Sequence, residues 1–233
     1  MTKRLKFAAF AAAGALVLAG CGADSSDASN SNAPTDGAVA ALAGTLDGSG
    51  ASSMGSGQEA WVAGFQLLNP GVTVNYNPTG SGTGRDQFEE GLTFFTGSDS
   101  ALKQEEIETP HPNCAPVDGD MFEFPIWISP IAIIFNIDGI GSLNMTPDTV
   151  AGIFTGKITK WNAPEIAADN AGVNLPNLAI TPVHRSDESG TTGNFTDTMA
   201  KAAPTTWLLN GENAGDFELW PAEWGGEGGQ GTS

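Results

Sequence analysis

Apolar residues gather first near the N-terminus, where Phe7 to Leu18 is an almost unbroken apolar run behind Lys3, Arg4 and Lys6. As a helix that run spans about 18 Å, short of the roughly 30 Å hydrocarbon core of a bilayer. A positive segment, a short apolar stretch and small residues beyond it form an export signal over residues 1–20, not a permanent transmembrane helix. From Gly22 to about Ala43 the chain is Ser, Asn, Asp, Ala, Gly, Pro and Thr with few bulky apolar residues. Such a segment cannot bury enough surface to offset its ordering entropy, so residues 21–43 read as a flexible tether.

Beyond the tether the periodicity changes from element to element. Trp61, Phe65 and Leu68 recur at helical spacing, which predicts an amphipathic helix of about ten residues ended by Asn69-Pro70-Gly71. Val72 to Tyr76 alternates as a strand does, and a helix is expected from Arg85 to about Leu92. The mostly apolar run Ile126 to Ile137 reads as a buried strand. Thr146-Pro147-Asp148 then has a cap, a first-turn proline and an acid at the positive end of a helix, with Val150, Ile153 and Phe154 facing inward and Gly156 ending it. Pro164 opens another helix. Ile180 to Val183 is a short strand, a helix follows from about Asn194 to Ala202, and Gly225 to Ser233 is loop material. Glycine-rich turns that open helices beside strands predict an α/β fold.

Charge narrows the possible partners. Lys3, Arg4 and Lys6 account for three of the 9 bases, leaving 6 bases against 27 acids beyond the leader. Nucleic acid is excluded as a partner, because a phosphate backbone needs a basic face. A small buried anion is not excluded: it responds to donors within a few ångströms, and distant surface charge is screened over about 8–10 Å. After Cys21 only Cys114 remains, which leaves an inert thiol, an intermolecular bond or a partner outside this sequence. His111, His184 and one free cysteine do not make a metal site, and nothing calls for a cofactor.

The informative chemistry is a recurrence. Gly48-Ser49-Gly50-Ala51-Ser52-Ser53, Thr79-Gly80-Ser81-Gly82-Thr83-Gly84 and Arg185-Ser186-Asp187-Glu188-Ser189-Gly190-Thr191 each set small hydroxyl residues beside glycine ahead of a predicted helix. A helix start offers unpaired N–H groups and partial positive charge, glycine lets the backbone come close, and hydroxyls add donors. Arg185 adds a planar fork able to hold two oxygens of one oxyanion. Taken singly, each loop is also an ordinary turn, and Arg185 beside Asp187 an ordinary surface ion pair. The second loop lacks the Gly-Lys-Ser/Thr ending of a nucleotide-binding loop. A hydrolase is the rival reading, yet no Gly-x-Ser-x-Gly elbow occurs. The residues alone lead to a small-anion site in an α/β binding protein.

Arg185-Ser186-Asp187-Glu188-Ser189-Gly190-Thr191 resembles the R-x-D-x-S-G-T signature of the periplasmic phosphate-binding proteins of ABC importers. Ile153 to Asn162 and the Pro164-Glu165-Ile166-Ala167 that follows resemble another segment of that family, and the resemblance runs from about Leu46 to Gly231. It implies the α/β, two-lobe periplasmic-binding-protein-like fold of type II, incomplete at the C-terminus, with residues 44–133 in lobe one and 134–233 in lobe two. Both lobes would be incomplete, since in the family the chain returns to lobe one after this point. The family's first loop matches Gly48 to Ser52, which implies ligand contacts from the Ser52 hydroxyl and the Ser53 N–H; the family usually has an aromatic residue at position 53. Its second loop places Ser81 on the ligand, and its Ala-Ser-Asp segment, matched by Gly97-Ser98-Asp99, makes Asp99 an acceptor. Arg185, Ser189, Gly190 and Thr191 fall on the remaining ligand positions, with Asp187 holding Arg185.

An acceptor carboxylate suits phosphate, which keeps at least one proton near neutral pH; fully ionised sulfate would leave two acceptors facing each other. Leu18-Ala19-Gly20-Cys21 resembles the lipobox of bacterial lipoproteins, which implies a lipid on Cys21 and a place on the extracytoplasmic face of the cell membrane. The resemblance thus implies a non-enzymatic binding protein with inorganic phosphate and membrane permease subunits as partners. The alternatives are another oxyanion, sulfate or molybdate, or an adhesion protein reusing the fold.

Overall fold

The computed structural model describes residues 42–113, 121–126, 128–229 and 231. The leader, all of the tether before Leu42, and both Cys21 and Cys114 lie outside the described residues.

Strand β1, Gly44–Gly50, is the middle of a three-stranded parallel sheet ordered β2-β1-β3, with β2 at Val72–Asn77 and β3 at Phe95–Gly97. The sequence showed this segment only as part of a Gly/Ser loop. Glycine ordinarily weakens a strand, but here the two neighbours press against it. A Cβ on Gly48 would meet the Phe95 ring at 2.2 Å, and one on Gly50 would strike the Gly97 carbonyl oxygen at 2.0 Å. Tyr76 and Phe95 stack at 6.0 Å beside that crossing. Register pairs Gly48 with Tyr76 on one side and with Phe95 on the other, so the C-terminal end of β1 is buried between them.

A short 3-10 turn, Ser52–Met54, leads into helix α1, Gly55–Leu68, which starts earlier than the spacing suggested and ends as expected at Asn69. Its apolar face is not sealed: Leu67 and Leu68 are exposed, and Trp61 and Phe65 partly so. Helix α2, Ser81–Glu89, absorbs most of the second Gly/Ser loop, and α3 is the short Gln104–Glu108.

The expected buried strand over 126–137 is a correction. Its described residues pair with no strand and most stay exposed, with Ile128 at 95% and Ile134 at 88%, while Phe135 is half-buried and Ile137 buried. An apolar run becomes a buried strand only when neighbouring strands supply ladder partners, and none lies beside it among the described residues.

Further along, the predicted pieces appear with small shifts. Helix α4, Pro147–Phe154, is capped by Thr146, whose Oγ1 accepts the Thr149 N–H at 3.2 Å. Val150 and Ile153 are buried, and Gly156 follows the helix with φ +74°. Helix α5 is Pro164–Asp169. The short strand β4 falls at Val183–Arg185, three residues later than its apolar pattern, and α6, Gly190–Ala202, starts inside the signature. A hairpin of β5, Leu208–Leu209, and β6, Glu212–Asn213, follows.

The tail read as loop contains β7, Glu227–Gly229, paired parallel with β4. Gly226 enters it at φ +96°, where a Cβ would meet the Pro182 carbonyl oxygen at 2.8 Å; only glycine suits that approach. Two cores hold this part. Trp207, Trp220 and Trp224 pack with Val150, Ala151 and Met199, and Ile153, Ile158 and Ile166 form the second.

Candidate oxyanion site

Four stretches well separated in sequence meet at one place. The 3-10 turn after β1 carries Ser52 and Ser53, and the first residue of α2 is Ser81. Asp99 sits just after β3, Arg185 ends β4, and Ser189 caps α6. Backbone bonds join the three Gly/Ser/Thr loops: Gly80 N–H donates to the Gly50 carbonyl at 2.9 Å, and Gly82 N–H to the Glu188 carbonyl at 3.4 Å. Ala51 N–H donates to the Gly97 carbonyl at 2.7 Å, which fixes the first loop to the strand before Asp99.

Asp99 is the hub. Its Oδ1 accepts the Ser53 hydroxyl at 2.6 Å and its Oδ2 the Thr191 hydroxyl at 2.9 Å. Its own N–H donates to Ser81 Oγ at 3.1 Å, and its carbonyl accepts from Asn194 Nδ2 at 2.7 Å. Gly190 lies so close that a Cβ there would meet the Ser100 N–H nitrogen at 2.7 Å and Ser81 Oγ at 2.8 Å. The starts of α2 and α6 are therefore in contact, and a helix start carries partial positive charge and N–H groups without partners inside the helix.

Arg185 is held as its neighbour suggested. Nε donates to Asp187 Oδ1 at 2.7 Å, and Nη2 forms a second, shorter ion-pair contact with Oδ2. Nη1 is left to reach Ser52 Oγ at 3.3 Å. A Cβ on Gly80 would fall 2.8 Å from Asp187 Oδ2, so glycine is what lets the second loop pass the ion pair. Ser52, Ser81 and Ser189 are buried. The structure thus brings together Ser52, Ser53, Ser81, Asp99, Arg185, Asp187, Ser189, Gly190 and Thr191. Ser189 has a local task there, its Oγ accepting the Thr192 N–H at 3.4 Å as the α6 cap. Chemically, this is a cradle of hydroxyls, backbone donors and one guanidinium, with the Asp187 carboxylate committed to Arg185 and the Asp99 carboxylate as the other acceptor.

A second arginine stands beside this cluster and was not picked out from the sequence. Arg85 on α2 is only 4% exposed, and its fork reaches Ser98, Ser100, Glu106 and Glu218. Burial by itself would lower its pKa, but the hydrogen bonds and charge of Glu218 and Glu106 raise it overall. Glu218 answers in the opposite sense. Burial pushes its carboxyl up, and the bonds from Arg85 and Ser100 more than reverse that, holding it below the usual carboxylate range. Its available signal was scarcity, because beyond the leader the chain has only two arginines, Arg85 and Arg185. Tyr76 is also drawn in: its hydroxyl donates to the Ala51 carbonyl at 2.9 Å, and burial, then the charge of Asp99, push its pKa well up.

Among curated proteins, Phosphate-binding protein PstS 3 of Mycobacterium leprae is 38% identical over 225 residues, covering 95% of this chain and 59% of that protein. Phosphate-binding protein PstS of Pasteurella multocida is 34% identical over 198 residues, 84% of this chain and 54% of that protein. The chain spans less than two thirds of the length of these relatives. Among solved structures, an ABC-type phosphate transport receptor from Vibrio cholerae aligns at 18% identity and a TM-score of 0.48, over 76% of this chain and 62% of that one. A family model described as a PBP superfamily domain matches residues 33–231, and the chain belongs to that superfamily.

Proposed function

We propose that this chain binds inorganic phosphate and serves as the substrate-binding lipoprotein of an ABC importer. The observation that carries the reading is the convergence of three Gly/Ser/Thr loops on Asp99, with Arg185 clamped by Asp187 beside them. Hydroxyls of Ser52 and Ser81, the Ser53, Gly190 and Thr191 N–H groups and the Arg185 guanidinium supply donors to a tetrahedral oxyanion, while the Thr191 hydroxyl proton stays on Asp99. Asp99 supplies the acceptor: its oxygens take the Ser53 and Thr191 hydroxyls and keep lone pairs for the proton of an oxyanion that still carries one. Sites built on such a buried hydrogen bond reject an analogue lacking the donor by factors on the order of 10⁴.

Ser52, Ser53, Ser81 and Asp99 come from residues 44–133, and Arg185, Ser189, Gly190 and Thr191 from 134–233. That division supports reading the two ranges as parts of two lobes that hold the ligand between them. The relatives named for phosphate binding support the ligand. Binding without turnover, permease subunits as the receiving partner, and anchoring through a lipid on Cys21 at the outer face of the cell membrane complete the proposal.

The test is calorimetric titration of the full chain with phosphate and then sulfate, repeated for Asp99→Asn. Phosphate should bind one to one and sulfate should not, and Asp99→Asn should erode that preference. Equal binding of the two anions by the unmodified chain would instead favour a general oxyanion binder.

A further inference from the structure

Arg85 does not face the cradle; it braces it. Nη1 donates to Ser98 Oγ at 3.2 Å and to Ser100 Oγ at 2.7 Å, the two residues that flank Asp99. Nε donates to Glu106 Oε1 at 3.2 Å, and Nη2 to Glu218 Oε2 at 2.7 Å. Ser100 Oγ in turn donates to Glu218 Oε1 in a short bond, and Ser98 Oγ donates to the Ser100 carbonyl at 2.6 Å. The turn that presents Asp99 is therefore tied on both sides to one guanidinium.

Glu218 continues the connection. Its backbone carbonyl accepts the N–H of Ser189, the cap of α6, at 3.1 Å. A Cβ on Gly193 of α6 would sit 3.1 Å from Glu218 Cγ. Next to it, Phe217 N–H donates to Thr196 Oγ1 at 2.9 Å, so the strand of chain bearing Glu218 lies along α6. One ion pair thus links the Asp99 turn to the start of α6, where Gly190 and Thr191 lie.

We propose that Arg85 and Glu218 are positioning residues that set Asp99 against Ser189–Thr191 and thereby set the preference for a protonated oxyanion. The inference rests on the phosphate reading above and adds to it two residues that do not touch the ligand. Three physical points support it. With Arg85 at 4% exposure and its fork shared among four protein partners, all three guanidinium nitrogens are engaged within the protein. A buried ion pair contributes little net stability over an apolar pair of equal volume, so its use here is geometric. An acceptor discriminates only when its position is fixed, since a displacement of about 1 Å is enough to lose most of the effect.

The test compares phosphate and sulfate binding by the full chain, by Arg85→Lys and by the double variant Arg85→Met with Glu218→Leu. Lysine keeps the charge opposite Glu218 but cannot span four partners with one ammonium. The double variant removes the charges of Arg85 and Glu218 together, so that Glu106, whose side chain is 17% exposed, is the one carboxylate to lose its cation. Circular dichroism and a melting curve establish that each is folded. Phosphate affinity should fall roughly tenfold in both, as expected when one or two charged hydrogen bonds at one remove are lost. Sulfate binding should change less, so that the ratio narrows; a residue serving stability alone would leave the ratio where it was. Folded variants with an unchanged ratio would overturn the proposal, and so would a double variant that does not fold, since the pair would then be a stability element. No phosphate binding by the unmodified chain is a different failure, that of the underlying reading, and is visible before any variant is made.

Discussion

Two regions of this molecule are held by opposite means. Around Trp207 the chain is built on apolar area: Trp207 is 0% exposed, packs edge-on to Trp224 at 4.4 Å, and meets Phe195, Phe217 and Trp220 within about 6 Å. Its one polar atom is satisfied by the Gly215 carbonyl at 3.1 Å. Around Asp99 the buried apolar residues are small in number, Ala51 and Met54, and serines, glycines, two arginines and their carboxylates fix one another. The first region is stabilised by removing surface from water, which is non-directional. The second is stabilised by directed bonds, each strict about distance and angle.

Substitutions can break that contrast. Trp207→Ala should have the largest effect on stability, about 3–5 kcal/mol for a large aromatic removed from a packed core. Chemical denaturation measures it, and the folded fraction should keep its phosphate affinity. Arg185→Ala should do the reverse. It removes charge-assisted bonds of about 1.5–3 kcal/mol from the ligand side, a loss of roughly ten- to a hundredfold in affinity by calorimetry, while the melting curve moves little. A smaller effect is expected at Thr146→Ala, which deletes the α4 cap bond beside the apolar core. About 1 kcal/mol of stability should be lost, with no change in affinity.

Acid should separate the regions without any substitution. The Glu218 carboxyl is depressed in the folded chain, so its contribution is fully present above the ordinary glutamate range, near pH 4.3. It is lost as pH falls through the lower folded value, because the unfolded chain then takes up the proton first. Amide protection relative to the intrinsic exchange rate should therefore fall at the 98–100 turn below the ordinary glutamate range, about pH 4, before it falls around Trp207.

How much of this was written locally in the sequence differs in the same way. The α4 cap was legible because Thr146, Pro147 and Asp148 act within one turn of each other. The Arg185–Asp187 pair was legible for the same reason, two residues apart. Strand β1 was hidden because Gly48 and Gly50 are chosen for Phe95 and Gly97, which approach from elsewhere in the chain. The run over 126–137 misled in the other direction, since hydrophobicity reports a wish for burial and says nothing about whether a ladder partner is present. Arg85 was least legible of all: its partner Glu218 is 133 residues away, and no pattern on α2 points to it. The cradle's own residues came from the resemblance of ordered motifs. Taken singly, each loop had an ordinary turn as its other reading.

The most direct measurement is a heteronuclear amide spectrum of the full chain titrated with phosphate and, separately, with sulfate. Saturable shifts at Ser53, Asp99, Gly190 and Thr191 with phosphate, and none with sulfate, are the predicted result. A folded chain whose shifts are absent, or lie away from these residues, would contradict the assignment of this cluster as the phosphate site.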